Sequence, residues 1–349
     1  MHKKIEVGIL GATGTVGQRF VQLLAGHPWF DLVWVAASER SAGKRYAEAA
    51  TWQLPGAPPP RIAELPLDKS MPGLGPRVVF SSMSAAEAAE IESSFAAAGH
   101  LVVSNSSHFR MEEDVPLLVP EINPGHLGLL PAQRRRRGWQ GALVTNPNCA
   151  AVVLVMALAP LRRFGLRRVI ATTFQAVSGA GYPGVPSLDI LGNVIPYIGG
   201  GEEAKVESEP QKILGDLDGE TIAPLPLTIS AACNRVAAID GHMVAASIEF
   251  AARPERDELL AALAGFRGLP QERQLPSAPR QPIHLLAAPD RPQTRKDAEL
   301  EGGMATAVGR VRECPVLHYK LVALSHNVLR GAAGGALLNA ELMASEGLL

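Results

Sequence analysis

The apolar residues of this chain fall into short runs set apart by polar and glycine-rich breaks. Residues 4–10 form one such run and predict a short buried strand, and residues 18–24, past a glycine turn, carry a helical pattern. Residues 31–37, 77–80 and 101–104 predict further strands, with a helix over 85–98 capped from the serine-rich stretch 81–84. Residues 52–76 are rich in proline and lack a period, so they read as an irregular excursion with short strands. A longer apolar run, 150–161, predicts a buried helix. Beyond it the pattern changes. Residues 168–175 and 242–250 read as strands of a second sheet, and a loop over 193–201 enters a helix over 202–214. Residues 270–282 form a proline-rich connector, 310–312 and 317–324 predict more sheet, and the Ala- and Gly-rich segment 329–343 predicts a terminal helix packing back on the first domain.

At 349 residues the chain exceeds the usual size of one core, so two domains are expected. The composition is globular, with 47% hydrophobic and 19% charged residues, and the formal net charge of −1 gives no reason to expect nucleic acid. Arg134, Arg135, Arg136 and Arg137 form a basic run, which without interleaved aromatics reads as an exposed loop. Cys149, Cys233 and Cys314 are odd in number and far apart, without metal-ligand spacing. That usage suits a reducing cytoplasm and gives no reason to expect a metal. The first residues do not read as a secretory segment, and the run near Cys149 is too short to span a bilayer, so no membrane role is expected.

Three stretches carry candidate chemistry. The first is residues 11–17, with Gly11, Gly14 and Gly17 between a strand and a helix. Backbone N–H groups at a helix start bind a pyrophosphate in that setting, although a plain tight turn has the same composition. After the second strand come Ser38, Glu39, Arg40 and Ser41. An acidic residue there suits NAD, whereas hydroxyls with Arg40 suit the 2′-phosphate of NADP, which is the expected cofactor. The second stretch is the polar loop 105–111, at the ligand-facing end of a strand, where Arg110 is a candidate anion holder. The third is Asn146, Pro147, Asn148 and Cys149, ahead of the apolar helix. Pro147 bars a preceding helix and Asn148 is a good N-cap, so Cys149 lies in the first turn, where the helix dipole favours a thiolate. A buried structural cysteine is the alternative. Glu202 and Lys205, three residues apart, share a helix face with Glu209 near it.

Together these segments resemble the aspartate-β-semialdehyde dehydrogenase family in its archaeal and fungal branch. The resemblance is carried by residues 11–17, 104–111, 148–149, 175–181, 199–205, 235–242 and 326–335, and so spans nearly the whole chain. It implies an α/β protein with a Rossmann-type NADP-binding domain, residues 1–147 plus 326–349. The second α/β domain, 148–325, would carry catalysis and dimerisation, in a homodimer or homotetramer. The implied reaction is reduction of L-4-aspartyl phosphate by NADPH to aspartate semialdehyde and phosphate, on the route to lysine, methionine and threonine. By motif matching Cys149 is the nucleophile, His242 the acid/base and Gln175 the residue orienting the substrate. Arg235 and Glu202 bind the α-carboxylate and α-amino group, while Lys205 and Arg110, with Asn105 near, hold phosphate. Gly11, Thr13, Gly14, Thr15, Val16, Gly17, Ser38, Arg40, Ser41, Ser82, Ser178, Gly179 and Asn327 match cofactor-binding segments. A malonyl-CoA reductase on the same scaffold and a non-catalytic NADP-binding sensor are the alternatives, and a cysteine hydrolase would leave the glycine turn idle.

Overall fold

The computed structural model describes residues 3–349. Six strands form the first sheet: β1 (Ile5–Leu10), β2 (Phe30–Ala37), β3 (Leu67–Lys69), β4 (Val78–Ser81), β5 (Leu101–Ser104) and β6 (Ala142–Thr145). All their pairings are parallel, in the order β3-β2-β1-β4-β5-β6. A parallel sheet is covered on both faces, and its strands are accordingly apolar almost throughout. The helices Thr15–Leu24 and Gly334–Ser345 contribute to one covering core with Val7, Ile9, Phe80 and Val103. The C-terminal helix thus returns to the first domain, as its composition suggested.

The second sheet contains β7 (Leu166–Gln175), β10 (Thr228–Arg235), β11 (His242–Phe250), β12 (Ile283–Leu286), β13 (Thr306–Glu313) and β14 (Tyr319–Ser325), while β8 (Asp216–Asp218) and β9 (Thr221–Ala223) pair apart from it. Its order is β10-β7-β11-β14-β13-β12, mixed in direction. The helix Cys149–Leu158 packs on one face, with every residue from Ala150 to Leu158 buried. On β7 the other face leaves Ile170 and Phe174 exposed.

Where element boundaries depend on local signals the sequence reading holds closely, as in β2, β11 and the helix Ala85–Ala97, which Ser84 caps by accepting from the Glu87 N–H. The arginine run is a correction. It closes the helix Leu130–Arg137, ended by Gly138 in left-handed conformation at φ 66°. Its charges face carboxylates: Arg135 and Arg136 meet Glu220, and Arg137 meets Glu112 and Asp114 while lying over the Trp139 ring. Leu130, Ala132 and Gln133 are buried on the same helix, and that anchoring outweighs four like charges. The terminal helical segment also differs in detail, because a π-helical turn, Leu329–Ala333, precedes its regular part.

Candidate active site

Two sheet edges meet at the site. In the first sheet the strand ends deliver Gly11, Ser38, Ser82, Asn105 and Asn146 just past β1, β2, β4, β5 and β6. In the second, Gln175 and Arg235 end the paired parallel strands β7 and β10. His242 begins the antiparallel β11 beside them, opposite Ser325, which leads into His326 and Asn327. Parallel strand ends and an antiparallel strand start therefore bring Gln175, Arg235, His242 and Asn327 to one edge. Between the sheets, β6 runs through Pro147 and Asn148 into the cysteine helix.

A cleft of about 830 Å³ follows this seam. Its walls include Thr13, Gly14, Thr15, Val16, Ser82, Asn105, Arg110, Cys149, Ser178, Gly179 and Asn327. The glycine turn is tight for a visible reason. Gly11 has φ 75°, and a Cβ on Gly17 would stand 2.3 Å from the Gly11 carbonyl oxygen, so the helix packs against the turn only with glycine there. Ser82 ties β4 to it, donating to the Leu10 and Gly11 carbonyls at 3.1 and 3.0 Å. Ser38, Arg40 and Ser41 lie outside the cleft wall, in an exposed turn closed by the Ser41 N–H on the Ser38 carbonyl at 2.9 Å. Lys69 at the end of β3 approaches Glu39 there at 3.8 Å, a cation the sequence reading did not single out. Asn327, just past β14, ties the start of β11 to the loop after β7, accepting from the Gly241 N–H and donating to Ser178 Oγ, both at 2.8 Å.

Asn148 caps the cysteine helix as expected, its Oδ1 accepting from the Ala150 and Ala151 N–H groups at 2.9 and 3.0 Å. The expected thiolate does not follow. Burial pushes the Cys149 thiol up to about 12, with the nearby Glu202 charge acting in the same direction. Arg110, Arg235 and the Ala150 amide pull it back only in part. Desolvation and the Glu202 charge outweigh these groups, although the residue is only half-buried and lines the cleft. Those charges also show what surrounds the sulfur: two guanidinium groups and one carboxylate.

His242 is fully buried, and burial, then Arg235 and His326, push it down to about 3. The Ala176 N–H donates to its Nδ1 at 3.1 Å, so the neutral ring carries its proton on Nε2. Nε2 is buried with no hydrogen-bond partner among the described residues. Gly179 packs directly over it, since a Cβ there would stand 2.9 Å from Nε2 and from an Arg235 nitrogen. Arg235 donates to the Ala176 carbonyl at 2.8 Å, and the Gln175 amide reaches Thr173 Oγ1 at 3.3 Å. Glu202 Oε1 accepts from Asn148 Nδ2 at 2.9 Å and its Oε2 stands 3.9 Å from Lys205 Nζ. Asn105 Oδ1 accepts from Asn146 Nδ2 at 3.2 Å.

Some functional contacts were not read from the sequence. Gly331, in the π-helical turn, lies against Cys149, and Asn146 donates to its carbonyl at 3.2 Å. Gln18, fully buried, holds the Thr13 and Thr51 carbonyls and so fixes the far wall of the cleft. A polar residue on the inner face of a helix after a glycine turn was the available signal.

The matches to known proteins agree with this geometry. Residues 6–129 match the family model "Semialdehyde dehydrogenase, NAD binding domain" and residues 158–330 "Semialdehyde dehydrogenase, dimerisation domain". An aspartate-semialdehyde dehydrogenase of Archaeoglobus fulgidus is 47% identical, covering 99% of this chain and 100% of that protein. This chain belongs to the aspartate-semialdehyde dehydrogenase family. The Saccharomyces cerevisiae member is 42% identical over 99% of both. The crystal structure of the Candida albicans aspartate-semialdehyde dehydrogenase with NADP superposes with a TM-score of 0.91, at 40% identity, covering 99% of this chain and 100% of that one. Family membership makes the chain an oxidoreductase with an NAD(P)-binding domain. No helix among the described residues is long and apolar enough to cross a membrane.

Three buried histidines give the fold a measurable acid sensitivity. Burial is the first cause lowering His126, His242 and His326. Their folded values lie below the ordinary value of about 6.5. The stability linked to their neutral forms is therefore complete above about pH 6.5 and is lost as pH falls toward the folded values. Each group contributes at most about 1.4 kcal/mol per pH unit in that window. Burial raises the Glu92 carboxyl, which opposes this trend, so the Tm is expected to drop between pH 7 and pH 5 more steeply in Glu92→Gln than in the unaltered protein; a Tm that rises over that range in Glu92→Gln contradicts the assignment.

Proposed function

We propose that this chain catalyses the NADPH-dependent conversion of L-4-aspartyl phosphate to L-aspartate 4-semialdehyde and phosphate, through a thioester on Cys149. The observation carrying this reading is the placement of Cys149 on the wall of the same cleft as the glycine turn, with Arg110, Arg235 and Glu202 acting on its sulfur. A substrate with two anionic ends and one ammonium group fits two guanidinium groups and one carboxylate. The domains are taken as 1–147 with 326–349, and 148–325.

In this reading Arg235 grips the α-carboxylate, Glu202 the ammonium group, and Arg110 with Lys205 the phosphate. Gln175 orients the substrate, and Asn105 stands near the phosphate holders, its backbone carbonyl accepting from Arg110. Sulfur attacks the acyl carbon, the bond to phosphate oxygen breaks, and Arg110 balances the departing charge. The Ala150 and Ala151 amides are taken by the Asn148 cap, so the Cys149 N–H is assigned to the developing oxyanion. The Ala176 amide sets His242 as a proton donor at Nε2 in the resting site. For attack the ring adopts its other tautomer, with the Ala176 contact released, and Nε2 takes the thiol proton to give the imidazolium. The imidazolium Nε2–H then protonates the hemithioacetal oxygen, and Nε2 takes that proton back as the C–S bond breaks and the thiolate leaves. Thr13, Gly14, Thr15, Val16, Ser82, Ser178, Gly179 and Asn327 line the NADPH seat. NADPH, when bound, supplies the hydride.

The 2′-phosphate is assigned to Arg40, with Ser38, Ser41 and Lys69 around it. A charge-assisted hydrogen bond of about 1.5–3 kcal/mol makes Arg40→Ala weaken NADP about ten- to a hundredfold and NAD far less. Equal weakening, measured by fluorescence titration, would remove Arg40 from that role. We also place a homodimer contact on the exposed β7 face around Ile170 and Phe174, supported by the name of the matching dimerisation model. The compartment expected for such a biosynthetic enzyme is the cytoplasm. An absorbance assay at the nicotinamide band tests the whole reading. Semialdehyde, phosphate and NADP together are expected to generate NADPH; reduction of malonyl-CoA with indifference to semialdehyde and phosphate would overturn it.

A further inference from the structure

Glu209 has no part in the chemistry above, yet its carboxylate touches both halves of it. The helix Glu202–Ile213 turns Glu202, Lys205, Glu209 and Lys212 to one face by alternating three- and four-residue spacing. Lys212 Nζ donates to the carbonyls of Arg110, Glu112 and Val115 at 2.8, 2.7 and 2.8 Å, gathering the loop that carries Arg110. One turn earlier, Glu209 Oε1 accepts from the Arg110 guanidinium at 3.0 Å and Oε2 from the Asn148 N–H at 2.6 Å. Asn148 is the cap of the cysteine helix, one residue before Cys149.

Arg110, Asn148, Glu209 and Lys212 are all buried. A buried carboxylate–guanidinium pair contributes little net stability over an apolar packing of the same volume, so its stability alone is a poor reason for the arrangement. The geometry offers another. Two of the three Arg110 nitrogens are committed, one to Glu209 and one to the Asn105 carbonyl at 2.8 Å. The third, Nε, is buried without a hydrogen-bond partner among the described residues, and Arg110 lines the cleft. The guanidinium is thus locked from behind with donor capacity left for an anion.

We propose that Glu209 is a positioning residue for the reaction. It fixes the separation between Arg110, which takes the phosphate, and the cap that aims Cys149, so that leaving group and nucleophile stand correctly about one acyl carbon. This rests on the roles assigned above to Arg110 and Cys149. In Glu209→Gln the amide keeps one acceptor, but its NH2 must face a donor, either Arg110 or the Asn148 N–H.

The test measures Glu209→Gln and Glu209→Asp in the phosphate-dependent direction. The KM for phosphate is expected to rise about tenfold or more in Glu209→Gln, with Cys149 alkylation by iodoacetamide slowed severalfold. The KM for semialdehyde and the Kd for NADP should stay within about twofold, a split that general loosening of the fold would not produce. Glu209→Asp keeps the charge but spans only one partner, and is expected to show the same split at smaller size; it also serves if Glu209→Gln does not fold. Wild-type phosphate KM and alkylation rate in a folded variant overturn the proposal. Should the unaltered protein show no phosphate-dependent turnover, the reaction assignment fails instead, and an unchanged alkylation rate in the variants then overturns the role of Glu209 by itself.

Discussion

Cys149→Ala is expected to reduce turnover to background, a loss on the order of 10⁶-fold, while NADP binding stays within about twofold of the unaltered protein. The sulfur forms the only covalent bond between protein and substrate in the proposed sequence, and alanine leaves the cap on Ala150 and Ala151 in place because Asn148 supplies it. The side chain also sits at the first helical position, where the smaller residue disturbs little backbone. Steady-state rates at saturating semialdehyde, phosphate and NADP, paired with a cofactor titration, check both halves. Retention of more than about a hundredth of the activity would require another nucleophile. Cys233 does not offer itself readily, since its side chain is buried in the core of the second sheet and does not line the cleft.

Gly331→Ala is expected to cost about 100-fold in rate without removing any reacting atom. A Cβ at this position would stand 2.7 Å from Cys149 Cβ and 3.0 Å from its Cα. Neither side can yield easily. Arg330, the preceding residue, is pinned by two 2.7 Å hydrogen bonds to the buried carboxylate of Glu121. Cys149 begins a helix whose following residues are all buried. The sulfur must then move by something near an ångström, a misplacement worth about 100-fold in rate. The expected signature is a fall in kcat and in the Cys149 alkylation rate with the NADP Kd little changed. A variant with unaltered kcat would show that the π-helical turn does not set the position of the nucleophile.

The parts of this account that rest on local chemistry were legible in the sequence. Pro147 and Asn148 fix the start of the cysteine helix through their own backbone preferences, and Gly11 through Gly17 mark a strand-to-helix turn. The parallel-sheet architecture and the terminal helix returning to the first domain followed from the order of apolar runs and from the family resemblance. What the sequence did not reveal depends on neighbours distant along the chain. The thiol of Cys149 was expected as a thiolate from its helix terminus, but desolvation and the Glu202 carboxylate, which comes from another element, push it up. Arg134 to Arg137 looked like a solvated loop until Leu130 and Ala132 were seen to anchor their helix in the core. Strands β6, β10 and β12 carry too few signals of their own to stand out, and their pairing partners define them. Glu209 was placed near the Glu202 face, yet nothing in the sequence joins it to Arg110 and Asn148, which come from other elements.

The central claim is an acyl group on one particular sulfur, and trapping it is the most direct measurement. Purified protein mixed with aspartate semialdehyde and NADP in the absence of phosphate, then quenched in acid, is to be digested and analysed by mass spectrometry. The account predicts an aspartyl adduct on the peptide containing Cys149, with an equivalent amount of NADPH formed, and its disappearance when phosphate is added before the quench. An adduct on Cys233 or Cys314 with Cys149 unmodified, or NADPH formation with no adduct on any cysteine, would contradict it.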